Sequence, residues 1–74
     1  MTHRLITQDE DILGGIPVFY GTRVPVQNLI DYLMTGETID SFLDEFPTVT
    51  REQVIRFLES AGELVVANSH ENSN

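Results

Sequence analysis

The sequence contains no cysteine, no lysine and no tryptophan. Without cysteine, the chain can form neither a disulfide nor a thiolate metal site. The two histidines, His3 and His70, stand near opposite ends of the chain, and neither has a second His or Cys beside it. A zinc site needs three or four ligating side chains brought together. We therefore expect no metal and no cofactor.

Long apolar runs are also absent. The N-terminal stretch MTHRLITQDEDIL becomes acidic where a signal peptide would need an apolar segment. No other stretch has the length and the apolar character of a membrane span. We predict a cytoplasmic chain that makes no membrane contact.

The chain is short, because its 74 residues allow one domain at most. A chain of this length buries only about 60% of its unfolded surface, so its core is marginal. Domains of this size often depend on disulfides, on metals or on a partner chain. With the first two excluded, association with itself or with another protein remains.

Positive charge is scarce. Four arginines oppose twelve acids, which gives a formal net charge of -8. Residues 1–30 carry two arginines and three acids, or -1, whereas residues 31–74 carry two arginines and nine acids, or -7. Nucleic-acid-binding proteins gain most of their affinity by neutralising phosphates with Lys and Arg. The charge therefore predicts weak DNA binding by the chain alone, and it favours a basic partner protein or simple solubility.

The periodicity predicts a β-hairpin followed by three helices. Two β-forming stretches, HRLIT (3–7) and IPVFY (16–20), predict a hairpin over about residues 3–20, with Gly14 and Gly15 in a plain hairpin turn. Apolar residues then recur at helical spacing. The predicted helices lie at about 25–34, 38–46 and 51–66, within a single domain of residues 1–66 that a polar tail follows at 67–74. The predicted fold class is mostly α with a short N-terminal β-hairpin.

Capping residues set the predicted helix ends. Gly36 is a natural stop after the first helix, and Thr38 is a candidate N-cap for the second. Pro47 ends the second helix, because the residue before a proline disfavours the helical region. Thr50 and Gln53 have the spacing of a capping box at the start of the third helix.

A family resemblance rests on residues 12–59, ILGGIPVFYGTRVPVQNLIDYLMTGETIDSFLDEFPTVTREQVIRFLE. This stretch resembles the domain-of-unknown-function family numbered 433, over residues 5 to about 62. The positions that fit the family's pattern are Gly15, Pro17, Gly21, Thr22, Arg23, Pro25, Val26, Gly36, Phe46, Pro47, Thr50 and Gln53. The combination of G-x-P, GTRVPV and F-P-x-hydrophobic-T is more specific than any one piece.

The resemblance implies a three-helix bundle of homeodomain-like or winged helix-turn-helix type behind a hairpin. It also implies an antitoxin of a bacterial type II toxin–antitoxin pair, whose partner is a PIN-like toxin, a metal-dependent ribonuclease encoded alongside. Some members are dimers. Many relatives carry a basic or polar residue at the positions of Ile16 and Tyr20, where this chain is apolar or aromatic. The difference favours a hairpin that binds protein or self-associates.

The arginines leave two interpretations open. Arg23 has a rigid fork of donors that suits a phosphate or a partner's carboxylate, although pairing with a local acid is favoured in so acidic a chain. Arg51 and Arg56 lie on the third helix, which would be the recognition helix of a true helix-turn-helix. Glu52 precedes Arg56 by four residues, so a solvated, salt-bridged face is the favoured alternative.

No constellation for catalysis is visible. Gly14 and Gly15 are followed by no lysine, and no phosphate-binding glycine motif exists. Residues 9–11 are three consecutive acids, which lack the alternating spacing of a calcium loop and predict a solvated loop. No serine has the His and acid neighbours of a nucleophile. We expect that the chain is not an enzyme.

Aromatic and apolar residues beside the helical stripes are the better candidates for partner binding. We select Tyr20, Tyr32, Phe57 and Leu64. The hairpin is the predicted contact of a homodimer. Two functions stay open: an antitoxin that neutralises a PIN-like ribonuclease by direct binding, and a helix-turn-helix DNA-binding regulator, acting alone or as the repressor of its own operon. DNA binding is expected to be weak, or to need the toxin complex.

Overall fold

A computed structural model describes the backbone of residues 4–72 and the side-chain environments of residues 4–67. Two short strands, β1 (Ile6–Thr7) and β2 (Val18–Phe19), precede three helices. These are α1 (Val26–Met34), α2 (Ile39–Glu45) and α3 (Arg51–Asn72). The predicted fold class, mostly helical with a short N-terminal hairpin, is confirmed.

Both residues of β2 are buried, and the chain becomes exposed directly after the strand. β1 and β2 are antiparallel, with Ile6 opposite Phe19 and Thr7 opposite Val18. Phe19 is fully buried, whereas the next residue, Tyr20, is 49% exposed. Val18 is fully buried as well, so burial does not alternate along β2 itself.

The GTRVPV stretch turns the chain from β2 into α1. Gly21 has a φ of 80°, which a residue without Cβ adopts at little cost. The Thr22 hydroxyl donates to the Phe19 carbonyl at 2.8 Å and accepts from the Val24 N–H at 3.0 Å. The Phe19 N–H donates in turn to the Val24 carbonyl at 3.0 Å. The motif therefore builds the fold by closing a second tight turn beside the hairpin.

The connection between the strands is more structured than a plain hairpin turn. A single 3₁₀ turn, Leu13–Gly15, occupies its end. Leu13, Gly14 and Gly15 have φ values of 51°, 71° and 94°. Glycine tolerates this left-handed region, but a leucine there is strained by about 1–2 kcal/mol. The predicted plain turn is wrong, because ten residues separate Thr7 from Val18 and the chain needs an extra reversal between them.

The predicted capping residues are confirmed. The Thr38 hydroxyl accepts from the Ser41 N–H at 3.0 Å, and so caps α2. At the start of α3, the Thr50 N–H donates to the Gln53 side-chain oxygen at 2.9 Å, and the Gln53 N–H donates to the Thr50 hydroxyl at 3.1 Å. This reciprocal pair is a capping box.

Gly36 ends α1 as predicted. It has a φ of 91°, its N–H donates to the Leu33 carbonyl, and the Glu37 N–H donates to the Tyr32 carbonyl at 2.9 Å. These two bonds define a Schellman motif, which requires a left-handed residue just after the helix.

The core lies where β2 and the three helices meet. Its buried residues are Phe19, Leu29, Phe42, Val49 and Val54. The Phe19 and Phe42 rings lie 6.3 Å apart, and the Phe42 and Phe46 rings lie 4.9 Å apart. Aromatic pairs at such distances contribute beyond the apolar area that they bury. The aromatic cluster thus compensates for the small size of the core.

α3 continues to Asn72, beyond the predicted end at residue 66. The predicted helix end is therefore too early, because the polar residues 67–72 continue the helix, and residues 73–74 lie outside the described part of the chain. Polarity does not end a helix, and no Gly or Pro occurs between residues 63 and 72. Among residues 4–72, no helix has both the length and the hydropathy that a membrane crossing needs.

Two glycines provide a matched test of the helix ends. A Cβ added at either Gly36 or Gly62 meets nothing within 4 Å, so only the backbone conformation distinguishes the two sites. Gly36→Ala forces alanine into the left-handed region, at a cost of about 1–2 kcal/mol. Gly62→Ala lies inside α3, where alanine favours the helix by about 1 kcal/mol.

We expect thermal melts followed by circular dichroism to show a lower Tm for Gly36→Ala. For Gly62→Ala we expect higher helical ellipticity and no fall in Tm. Shifts of the same sign in both variants would contradict the assigned helix ends.

Candidate functional site

Two of the four predicted partner-binding residues are packed within the chain. The Tyr32 ring lies 5.5 Å from that of Phe42 and 5.7 Å from that of Phe46. The Phe57 ring lies 5.8 Å from that of Phe19, in an edge-on arrangement. The prediction that Tyr32 and Phe57 lie beside the main apolar stripes is wrong, because the small core needs both rings to cover its phenylalanines.

The other two, Tyr20 and Leu64, are exposed on different parts of the molecule. Tyr20 follows β2 on the outer side of the hairpin. Leu64 is 63% exposed on the C-terminal half of α3. Each has a large apolar side chain that is still available to a partner.

Leu64 belongs to an exposed apolar surface that we name the α3 arm, residues 59–67. Val65 and Val66 are as exposed as Leu64, and Val66 reaches 69%. The 3.6-residue period predicts that Val54, Leu58, Ala61 and Val65 line one face of α3. The core ends near Leu58, and Val65 is exposed, so the period does not place Val65 in the core. Periodicity reports the face of a helix and not how far along the helix the core extends.

The α3 arm combines its apolar side chains with negative charge. A shallow groove of about 630 Å³ runs along it, lined by Glu59, Gly62, Glu63, Val66 and Ala67. The charged residues of this groove are both glutamates, so Val66 is bordered there by carboxylates. Leu64 and Val65 are exposed on other faces of the arm.

A second acidic surface lies between α1 and α2. A groove of about 650 Å³ is lined there by Asp31, Tyr32, Thr35, Glu37, Ser41, Asp44 and Glu45. Desolvation, with the carboxylates of Glu45 and Glu37, raises the pKa of the Tyr32 hydroxyl. The effect of the two glutamates on Tyr32 reflects a local negative potential, because negative charge disfavours ionisation of a phenol.

The arginines are distributed differently from the prediction. Arg51 forms a salt bridge with Asp40, which links the start of α3 to the start of α2 across two exposed side chains. No salt bridge joins Glu52 to Arg56 within residues 4–67, so the predicted salt-bridged face does not form there. Exposed helical ion pairs are worth only a few tenths of a kcal/mol, too little to hold two long side chains together.

Arg4 and Arg56 line one groove of about 340 Å³ beside the start of α3. Tyr20, Thr48, Thr50, Glu52 and Gln53 also line it. The Gln53 side-chain N–H donates to the Tyr20 carbonyl at 2.9 Å, so the capping-box glutamine also fixes the hairpin to α3. The positive charge of this groove is partly offset by Glu52.

Arg23 is exposed, and it takes part in none of the salt bridges formed within the described side chains. The favoured interpretation, a pairing of Arg23 with a local acid, is therefore wrong. The turn that carries Arg23 is held by Thr22 and by backbone hydrogen bonds, so the fold does not need its guanidinium. In the part of the chain that the structure describes, no three His, Cys, Asp or Glu side chains cluster so as to hold a metal.

Comparison with known proteins supports the family resemblance. A protein of Sinorhizobium fredii (strain NBRC 101917 / NGR234), "Uncharacterized protein y4eO", is 36% identical over 50 residues, which are 68% of this chain and 23% of that protein. The chain thus matches less than a quarter of the length of this relative. No solved structure is significantly similar. The family model described as "Protein of unknown function (DUF433)" matches residues 6–59, and the chain therefore belongs to this family.

Proposed function

We propose that this chain is a protein-binding module of the antitoxin type, which neutralises a PIN-like ribonuclease toxin by direct contact. The observation that carries the proposal is the α3 arm, where Leu64, Val65 and Val66 are exposed on one half of a helix whose other half is packed on the core. The family resemblance supplies the kind of partner.

The α3 arm has the composition of a binding helix. Exposed apolar residues that form a contiguous patch typically mark interaction sites in small proteins. An amphipathic helix can place such a strip in a groove of a partner, with anchors at successive turns. Val66 provides the apolar anchor of the groove, and Glu59 and Glu63 provide its charged border. Leu64 is exposed on another face of the same helix, about 200° round from Val66.

Electrostatics favour a cationic partner. Residues 31–74 carry nine of the twelve acids, and the surfaces around Tyr32 and along the α3 arm are both acidic. A ribonuclease presents positive charge to the phosphates of its substrate, and an acidic protein is attracted by the same field. Complementary potentials of this kind mainly raise the association rate and select the partner.

DNA binding is the second candidate function, and one observation favours it. Arg4 and Arg56 line the same groove at the start of α3, the helix that would enter DNA. Glu52 lines this groove too, and Arg51 is engaged by Asp40. We therefore expect weak DNA binding by the chain alone, with a basic toxin supplying further cations in a complex. A gel shift with the DNA upstream of its own gene tests this.

We also propose that the chain forms a homodimer through its hairpin. Leu13, Ile16 and Tyr20 are all more than 40% exposed on this part of the molecule. Light scattering at micromolar concentration is expected to give about twice the 8.4 kDa chain mass.

The decisive experiment mixes the purified chain with the product of the adjacent gene. We expect RNA cleavage by that product to fall as the chain is added, and its toxicity to growing cells to be suppressed by co-expression. The association rate is expected to fall as salt rises, because steering between opposite potentials is screened. If the product stays equally active and toxic with this chain in excess, the antitoxin proposal is wrong.

A further inference from the structure

We infer that the groove between β1 and the GTRVPV turn is a socket for a carboxylate of a partner protein, bound by Arg23 and the Thr7 hydroxyl. The groove has a volume of about 520 Å³, within the range of ligand sites. It is lined by Thr7, Ile12, Thr22, Arg23, Val24 and Thr48. We name it the Arg23 groove.

The first observation behind this inference is the side chain of Arg23, which is exposed and is unpaired among the described side chains. It is exposed at the groove, in a chain with three times as many acids as bases, and yet it forms no salt bridge within residues 4–67. A guanidinium presents five N–H donors in a fork that matches a carboxylate with two parallel hydrogen bonds. The turn holds the backbone of Arg23 in place through Thr22 without using these donors.

Thr7 is the second, independent observation. Its hydroxyl oxygen is buried and has no hydrogen-bond partner, the sole side-chain polar atom of this kind in the described part of the chain. A buried polar group without a partner costs about 1–3 kcal/mol, so an orphan in a small, marginal fold requires an explanation. Thr7 lines the same groove as Arg23. Because its hydroxyl oxygen is itself buried, an acceptor bound in the groove would satisfy it after a rotation of the Thr7 side chain about χ1.

The walls of the groove favour a carboxylate on a peptide over a phosphate of nucleic acid. Ile12 and Val24 give the lining an apolar part, which suits a side chain flanked by apolar neighbours. Acidic residues 9–11 directly precede Ile12, and the whole chain carries a charge of -8. The many phosphates of a nucleic acid would be repelled by this charge. A carboxylate on a peptide brings only one negative charge, and Arg23 neutralises it.

The identity of the group bound in the Arg23 groove rests on the proposed function. The groove adds to that function a second contact, in which this chain supplies the positive charge and the partner the negative charge. The α3 arm offers carboxylates, and the Arg23 groove accepts one. Two contacts of opposite sign define one relative orientation of the partner, because any other orientation sets like charges together. The Arg23 groove is thus a determinant of which partner is accepted.

The test uses a small peptide probe and no partner protein. The full-length, ¹⁵N-labelled chain is titrated with acetyl-Leu-Glu-Leu-amide, and with acetyl-Leu-Gln-Leu-amide as the neutral control. We expect saturable shifts at the amides of Gly21, Thr22 and Arg23, with a Kd in the range of about 1–10 mM. The glutamine peptide is expected to bind at least about tenfold more weakly, because it loses the charge-assisted bonds.

Two variants complete the test. Arg23→Gln is expected to lower the affinity for the glutamyl peptide by about tenfold or more. Arg56 belongs to the neighbouring groove, and Arg56→Gln is expected to leave this affinity unchanged. Thr7→Val is expected to raise the Tm, because an unsatisfied hydroxyl is removed. The same variant is expected to lower the affinity for the glutamyl peptide several-fold, because that hydroxyl no longer donates to the carboxylate. A merely structural Thr7 would not produce these opposite effects.

Three results would overturn the inference: no shifts at the turn, equal binding of the glutamyl and glutaminyl peptides, or unchanged affinity in Arg23→Gln or Thr7→Val. Because no toxin is present, each of these results leaves the antitoxin proposal standing. A failure of the neutralisation experiment likewise leaves the peptide result unaffected.

Discussion

Replacing Phe42 by alanine is expected to cost about 3–5 kcal/mol of unfolding free energy. Phe42 is fully buried at the centre of the aromatic cluster, where its ring contacts those of Phe19, Tyr32 and Phe46. A chain of 74 residues has a total stability of only about 4–11 kcal/mol. The variant therefore loses a large part of its stability, since the chain has no cysteine with which to form a stabilising disulfide.

A thermal melt followed by circular dichroism measures the effect. A loss of about 3 kcal/mol lowers the Tm of so small a domain by at least roughly 12 °C. Met34→Ala is the matched control, because Met34 is 79% exposed at the end of α1 and its truncation removes little packing. Equal Tm values for Phe42→Ala and Met34→Ala would show that the core is placed wrongly.

If the proposed function is right, the paired substitution Leu64→Gln and Val66→Gln is expected to abolish most of the affinity for the proposed toxin while the fold is retained. Both side chains are more than 60% exposed, so their removal leaves the core intact. Glutamine is as good a helix former as leucine and a better one than valine, so α3 is preserved. An apolar anchor at the centre of an interface is typically worth about 2 kcal/mol or more, which corresponds to at least about 30-fold in Kd.

The kinetics of the complex separate this effect from electrostatics. Loss of apolar anchors is expected to speed dissociation, whereas the association rate is set by charge and stays nearly constant. Met34→Gln provides a control for exposed apolar surface elsewhere, and is expected to bind as the parent does. Undiminished affinity in the paired variant would remove the α3 arm from the interface.

Features that depend on a few neighbouring residues could be predicted from the sequence. The Thr50 and Gln53 capping box, the Thr38 cap and the Gly36 stop each depend on side chains within five residues of the helix end, and the structure contains all three.

Features that depend on distant parts of the chain could not be predicted. Tyr32 and Phe57 are predicted partner contacts because they fall outside the stripe of their own helix. In the structure, however, their rings pack against Phe42 and Phe19, which belong to other elements. The excess of acids predicts a salt bridge for Arg23. Composition gives the number of acids but not their positions in the fold, so this prediction could not be made reliably. Leu64 was predicted correctly to be an exposed apolar residue, because α3 has more apolar residues than a small core can cover.

The division of α3 into a packed half and the α3 arm has a consequence for the lifetime of the chain. Helical segments shorter than about 12–15 residues are marginal in water when no tertiary contact supports them. We therefore expect the α3 arm to open locally at a free energy well below that of global unfolding. Its amides are then expected to exchange, and its peptide bonds to be cut, while the core remains folded. A bound partner suppresses this opening by mass action. The cellular half-life of the free chain would then report how much partner is present.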